Sequence, residues 1–432
     1  MTFLNKLLTE DENNIDNNID NNIDNSNDFT ELELPVELLN AIADLQFTSC
    51  TPVQKEVLPH SIDGSDIIAQ AQTGTGKTAA FLISMITYHL ENAEVNPRKA
   101  GTPFALIIAP TRELVMQITS DAEELSTYTD ITTVSIVGGI DYEKQKKRMQ
   151  SSVDIVVATP GRLLDFCRSN IIDLSQVESL VIDEADRMLS MGFIPDVKSI
   201  VSRTPKKERR QTQLFSATFS EDIRRLSASW TLDPVNIDIE PEHIAVDSVT
   251  QLVYLTTEAD KFKVLYNLLK IQEVQRAIIF TNRRDQTRDL EEKLYRHGIT
   301  TGLLTGEVPQ KKRIKTLEQF KSGEIEILVA TDVAGRGIHV DDISHVINYN
   351  LPEDPEDYIH RIGRTGRAGA LGTSISLVCE SDVFMLPAIE TLLGDPIVSL
   401  QPEDEYLDDL PDPVRKRRVS SAAPKRKYPR GR

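Results

Sequence analysis

The run Ala71-Gln-Thr-Gly-Thr-Gly-Lys-Thr78 has the spacing of a phosphate-binding loop, with Ala71 where the common form has glycine. Gly74 and Gly76 let backbone N–H groups curl round a polyphosphate, the helix expected from Lys77 adds its positive end, and the Lys77 ammonium supplies a full charge. The nucleotide-binding set is therefore Thr73, Gly74, Thr75, Gly76, Lys77 and Thr78, with the Thr78 hydroxyl placed for Mg2+. Such a loop needs an acidic partner on a neighbouring strand, and Asp183-Glu-Ala-Asp186 follows the apolar run Leu180 to Ile182. Asp183 suits the metal, through water, because Mg2+ is held by few carboxylates and several waters. Glu184 beside it can orient and deprotonate an attacking water. The chemistry indicated is binding and hydrolysis of a nucleoside triphosphate.

The second half has no glycine-loop lysine of its own. It has Thr331-Asp-Val-Ala-Gly-Arg-Gly-Ile-His339 and His360-Arg-Ile-Gly-Arg-Thr-Gly-Arg-Ala-Gly369 instead. Arginines among glycines suit phosphate oxygens, because the guanidinium fork matches them and glycine permits close approach.

The elements that must position these residues are short apolar runs alternating with helical stretches: Asp66 to Ala69, Ala105 to Ala109, Val134 to Val137, Ile155 to Ala158, Leu180 to Ile182 and Gln213 to Phe215. Strands spaced by helices imply a parallel sheet with ligands at the carboxyl ends of its strands. Pro110-Thr-Arg-Glu-Leu114, Gly138-Gly139, Thr159-Pro-Gly-Arg162, Asp183 to Asp186 and Ser216-Ala-Thr218 each directly follow such a run, so they belong to one edge. Periodicity fails near Pro234 to Ser248 and resumes with Ala277 to Phe280, Thr301 to Leu304, Ile325 to Ala330, Val346 to Tyr349 and Ser374 to Val378, a second sheet. The expected α/β organisation is residues 1–28 disordered, 29–235 the ATP-binding domain, 236–250 a linker, 251–400 a second domain, and 401–432 an acidic then basic disordered tail. Repeats of Asn-Asn-Ile-Asp fill the first segment, and Arg415 to Arg432 carry the basic cluster.

At 432 residues the chain needs more than one core. A net charge of −19 argues against a nonspecific nucleic-acid sponge, although a local basic groove still works on an acidic body. Three scattered cysteines support neither a disulfide scaffold nor a zinc site, and no apolar run reaches the roughly 20 residues of a membrane span. A cytoplasmic protein is expected. From Phe29 to Phe47 the pattern is helical, and Gln54, seen alone, reads as a helix-start residue.

Together these motifs resemble the DEAD-box ATP-dependent RNA helicases of superfamily 2, from Phe29 to about Ala388. The resemblance implies two tandem RecA-like parallel-sheet domains joined by a short linker. It implies that Phe29 stacks on adenine and Gln54 reads its edge, with Gly337 and His339 also at the nucleotide. His339 stands where most members have Asp, which leaves its ribose contact open. Arg364 and Arg367 become arginine fingers, and His360 couples Asp186 and the segment Ser216 to Thr218 to domain closure. Pro110, Arg112, Gly139, Thr159, Arg162, Gly306, Gln310, Arg313 and Thr331 match positions that grip the backbone of one RNA strand. Gln46 and Gly335 depart mildly from the common Gly and Ala. Cys50, Leu303 to Val308, His339 and Leu386 to Glu390 resemble one bacterial branch, which implies a partner: the RNase E-like endonuclease scaffold of the RNA-degrading complex, the degradosome. Ribosome assembly or cold adaptation stays open as the setting, as does an ATP-gated RNA clamp that unwinds nothing.

Overall fold

The computed structural model describes residues 29–71, 74–92, 98–239, 249–272, 274, 276–335, 343–366 and 371–414. They build two parallel sheets of seven strands each. The first contains β1 (Ile67–Gln70), β2 (Ala105–Ile108), β3 (Thr133–Ile136), β4 (Ile155–Ala158), β5 (Ser179–Ile182), β6 (Gln211–Ser216) and β7 (Val235–Asp238), in the order β3-β4-β2-β5-β6-β1-β7. The second contains β8 (Val249–Leu255), β9 (Ala277–Thr281), β10 (Thr301–Leu304), β11 (Ile327–Thr331), β12 (His345–Asn348), β13 (Gly372–Val378) and β14 (Val398–Leu400), in the order β10-β11-β9-β12-β13-β8-β14. If β8 takes the place of β1, the two orders are the same: the architecture is a tandem repeat of one RecA-like fold.

The central strands are continuous apolar runs because helices cover both faces; β2, β4 and β5 are buried at every position. Separate apolar layers therefore lie on opposite faces of the first sheet, one around Phe81, Ile107 and Phe215, the other around Leu106, Phe166 and Leu214.

Three expectations about boundaries are corrected. The stretch from Phe29 is a single turn, Phe29–Glu31, followed by the helix Val36–Asp44, because Pro35 cannot continue a preceding helix and sits at its start. The linker does not begin at 236: β7 pairs with β1 along its whole length, and β8 opens at Val249. Only residues 240–248 separate the sheets, and they lie outside the described residues. The tail does not begin at 401. Tyr406 is buried against Tyr254, with ring centroids 5.7 Å apart. The Asn267 amide donates to the carbonyls of Tyr406 and Asp408 at 3.1 and 2.9 Å, and Lys263 reaches Asp409 at 3.3 Å. One aromatic anchor fixes a segment whose acidic composition alone suggests disorder. The Asn-Asn-Ile-Asp repeats and the basic cluster from Arg415 lie outside the described residues.

Candidate ATP site and RNA-facing surface

The loop after β1 is built around Gly76, whose φ is +92°. A Cβ there would lie 2.6 Å from Gln54 Nε2 and 2.8 Å from Thr51 Oγ1, so glycine is required by both backbone and space. Gln54 is held at both ends: Oε1 accepts from Thr51 N at 2.9 Å and Nε2 donates to Gly76 O at 3.1 Å. It opens the helix Pro52–Ile62 and ties that helix to the phosphate loop. The Lys77 ammonium donates to Ala71 O at 2.7 Å, inside the curl of the loop.

A cavity of about 600 Å³ takes in Gln54, Gly74, Gly76, Lys77, Thr78, Asp183 and Glu184, joining the loop to the end of β5. Its aromatic wall is Phe47. Phe29 lies behind it, buried, with the two rings roughly stacked at 6.4 Å. The far wall contains Asp121, whose carboxyl is pushed up to about 6 by burial and then by Glu124. Burial likewise pushes the Asp183 carboxyl up to about 6, against the pull of Lys77 and with Glu184 and Asp186 adding to the rise. Its Oδ1 accepts from Glu184 N at 2.9 Å. Thr78 and Asp183 thus offer hard oxygen donors to one polar space, with a desolvated carboxylate that a divalent cation would neutralise, and this donor set fits Mg2+.

Glu184 has a left-handed backbone, φ +53°, at the start of the helix Ala185–Ser190. Both its oxygens accept from Arg187 Nη1, at 2.9 and 2.8 Å. Asp186, Ser216 and Thr218 are brought together. Asp186 Oδ2 accepts from the backbone N–H groups of Ala217 and Thr218 at 3.0 Å each, and Ser216 Oγ accepts from Asp186 N at 3.2 Å while donating to Thr218 O at 2.8 Å.

The second sheet faces this cluster with the helix Pro355–Ile362. Its contact with the segment is Glu356, whose Oε2 accepts from Thr218 Oγ1 at 3.4 Å. His360, expected in that role, has its buried Nδ1 unbonded, 3.7 Å from Asp357 Oδ1. Arg364 is buried, with Nε donating to His360 O at 3.1 Å. Arg361, absent from the expected set, anchors the helix: it forks onto Asp332, donates to Asn348 Oδ1 at 3.0 Å, Asn350 O at 2.6 Å and Asn282 Oδ1 at 2.9 Å, and lies 5.2 Å over the Phe280 ring. Thr73, Gly337, His339 and Arg367 lie outside the described residues.

The expected RNA-facing residues fall on the carboxyl edges of both sheets. Arg112 Nη1 donates across the domains to Gln310 Oε1 at 3.2 Å; Gln310 Nε2 donates to Glu113 Oε1 at 3.1 Å, which Arg313 Nε also reaches. Gly139, φ +78°, leaves the room that the Arg112 guanidinium fills, since a Cβ would lie 2.2 Å from Nη1. Arg162 lies 5.3 Å over the Tyr142 ring. Pro110 and Thr159 follow β2 and β4, Thr331 closes β11, and Gly306 is exposed after β10. Glu113 was missed although it adjoins Arg112; its signal was an acid between the two arginine-bearing elements, legible only in three dimensions.

Residues 51–226 match the DEAD/DEAH box helicase family and residues 260–369 the helicase conserved C-terminal domain. The chain is 54% identical to the ATP-dependent RNA helicase RhlB of Pseudomonas putida over 384 residues, 89% of this chain and 96% of that protein. The chain belongs to the DEAD-box ATP-dependent RNA helicase family. The RhlB of Shewanella oneidensis is 44% identical over 90% of this chain and 88% of that protein. Among solved structures, S. cerevisiae Dbp5 bound to RNA and ADP BeF3 is 34% identical with a TM-score of 0.78, covering 88% of this chain and 96% of that one. Mss116p bound to ssRNA and AMP-PNP is 29% identical with a TM-score of 0.76, covering 88% and 80%. This helicase is accordingly an ATPase acting with RNA. Among the described residues no helix is long and apolar enough to cross a membrane.

Proposed function

We propose that this helicase locally unwinds short RNA duplexes and assists RNA degradation, in the cytoplasm, together with an RNase E-like endonuclease scaffold. The observation that carries the unwinding reading is the cluster Arg112, Glu113, Gln310 and Arg313, in which backbone-gripping candidates from both domains meet through hydrogen bonds. A strand laid across that cluster must span both domains, so binding it favours closure; closure in turn bends the strand and strips a short duplex of its partner. Contact with the sugar-phosphate backbone gives affinity without reading sequence, and contact with 2′-hydroxyls favours RNA.

On the nucleotide side, Lys77 and the loop N–H groups hold the phosphates, and Thr78 and Asp183 would hold Mg2+, which would supply neutralisation of phosphate charge. Glu184 orients the attacking water and takes its proton. Arg364 and Arg367 approach the γ-phosphate from the second domain, while Asp186, Ser216 and Thr218 relay closure through their contact with the helix of Glu356 and His360. Gln54, with one amide hydrogen and one lone pair still available, meets the adenine edge beside Phe47, Phe29 supporting that ring from behind; residues near Gly337 and His339 lie on the ribose side.

The similarity to RhlB supports the role in decay. Glu184→Gln should bind ATP, lose RNA-stimulated turnover and remain trapped on RNA; undiminished turnover would remove Glu184 from its role. A pull-down with and without RNase tests the partner: the scaffold endonuclease should persist after RNase, and its replacement by ribosomal proteins would favour ribosome assembly.

A further inference from the structure

Arg187 is a buried arginine with an unusual distribution of partners. Two other buried arginines, Arg210 and Arg361, saturate their guanidinium groups with several acceptors. Arg210 reaches Thr204, Pro205 O, Thr212 and Trp230 O, and Arg361 reaches Asp332, Asn282, Asn348 and Asn350 O. These are structural ties, each joining separate segments. The Arg187 guanidinium instead meets one residue: Nη1 donates to both Glu184 oxygens, while Nε and Nη2 are buried without a hydrogen-bond partner. Both side chains are almost wholly withdrawn from solvent, at 3% and 5% exposure.

Burying a guanidinium with one hydrogen-bonding edge empty is unfavourable, and an apolar side chain of similar volume would hold a helix on a sheet at least as well. The pair joins residues three apart in one short segment, so it closes no long-range contact. What it does is fix a carboxylate. Glu184 stands in a left-handed backbone conformation at the wall of the nucleotide cavity, and its side chain would otherwise choose among several rotamers there.

We infer that Arg187 is a positioning residue, which acts on ATP hydrolysis only by holding the Glu184 carboxylate at the cavity wall. The inference rests on Glu184 having the role given above. Removing the guanidinium chiefly disturbs geometry, and misplacing a catalytic group by about 1 Å costs roughly 100-fold in rate.

The test is RNA-stimulated ATP turnover of the full chain in four forms: Arg187→Met, Arg187→Lys, Glu184→Gln, and Glu184→Gln with Arg187→Met. Arg187→Met should lower kcat by about 10- to 100-fold with KM for ATP and RNA half-saturation within about twofold. Arg187→Lys, which keeps a donor and charge, should recover most of that loss. In the Glu184→Gln background Arg187→Met should cost nothing further, because the group it positions is gone. A further loss in the double variant equal to that in the single one, a rise in KM matching the fall in kcat, or an Arg187→Met enzyme as fast as the parent would overturn the inference. Should Arg187→Met not fold, as read by its thermal melt, Arg187→Lys decides with Glu184→Gln: a partial fall in kcat at unchanged KM that disappears in the Glu184→Gln background supports positioning, and a KM-only effect, an unchanged kcat or a loss undiminished in that background refutes it. If Glu184→Gln itself turns over normally, the role of Glu184 fails first, and separately.

Discussion

Restoring the common residue at Gly335 should damage this helicase. A Cβ at Gly335 would lie 2.4 Å from Phe280 Cε1 and 3.1 Å from Cζ, both inside van der Waals contact. The ring cannot turn aside cheaply, since Phe280 is 2% exposed and packed with Leu304, Leu328 and Ala330, and the Arg361 guanidinium lies 5.2 Å above it. Overpacking of this kind costs about 1–3 kcal/mol, while glycine to alanine at an ordinary helical position returns about 0.4–1 kcal/mol through the unfolded chain. The clash wins, leaving a net loss of up to about 2.5 kcal/mol, or as much as about 10 °C in Tm at 2–4 °C per kcal/mol for a domain of this size. Displacement of the ring also moves Arg361 off Asp332, so turnover should fall with stability. The sign reverses when the ring is removed: in a Phe280→Leu background, Gly335→Ala should raise Tm. Thermal unfolding of the four forms decides it. If Gly335→Ala lowers Tm equally with Phe280 and with Leu at 280, the steric account is wrong and the glycine is needed for some other reason.

Burial, then Asp354 and Asp186, raises the Glu356 carboxyl above its ordinary value of 4.5, with His360 opposing. The hydrogen bond from Thr218 favours the carboxylate, but burial and the Asp186 charge outweigh it, so bringing the helix of Glu356 against the first domain is favoured while Glu356 is protonated and weakens as pH rises through the raised value. Glu356→Gln, permanently neutral among Asp186, Asp354, Asp357 and His360, should bind RNA more tightly than the parent at neutral pH with a nonhydrolysable ATP analogue, and the two should converge in acid; parallel pH curves would dismiss the contact. Deleting residues 415–432 should weaken RNA binding and flatten its salt dependence by about 0.7 in log–log slope for each phosphate the segment had neutralised, and an unchanged slope would mean that this segment does not touch RNA. His339→Asp should tighten ATP binding by roughly three- to tenfold, a gain near 1 kcal/mol, and coincident KM curves for both forms between about pH 6 and 7.5 would exclude a ribose contact.

Much of the fold was legible because buried parallel strands are written as unbroken apolar runs, as in β2, β4 and β11. The edge strand β7 was not: Val235 and Ile237 pack into the apolar layer on one face while Asn236 and Asp238 are exposed, and a preceding proline makes that alternation read as a linker. Motif residues with fixed spacing declared themselves, but their partners did not. Gln54 needed Gly76, Arg112 needed Glu113 with Gln310, and Arg361 needed Asp332, all contacts that only folding creates. The departure at Gln46 also has a physical side invisible in the sequence, since its φ of +58° is the left-handed region that glycine occupies without strain.

The repeated strand order gives a reason why, under the proposed function, one site would need both repeats. β8 occupies the place of β1, and Lys261 opens the helix after it as Lys77 opens the helix after β1. The turn between, Thr256 to Asp260, contains no glycine and cannot curl its N–H groups round a phosphate. The Lys261 ammonium is buried and neutralised by Asp382 at 2.9 Å, 5.7 Å from the Tyr349 ring. In one repeat this lysine position faces a cavity, and in the other it has become part of the core. The second repeat therefore brings no phosphate-binding loop of its own and meets the relay segment of the first through Glu356 and Thr218; under the proposed function, a site divided in this way is complete only while RNA and ATP hold the two repeats together.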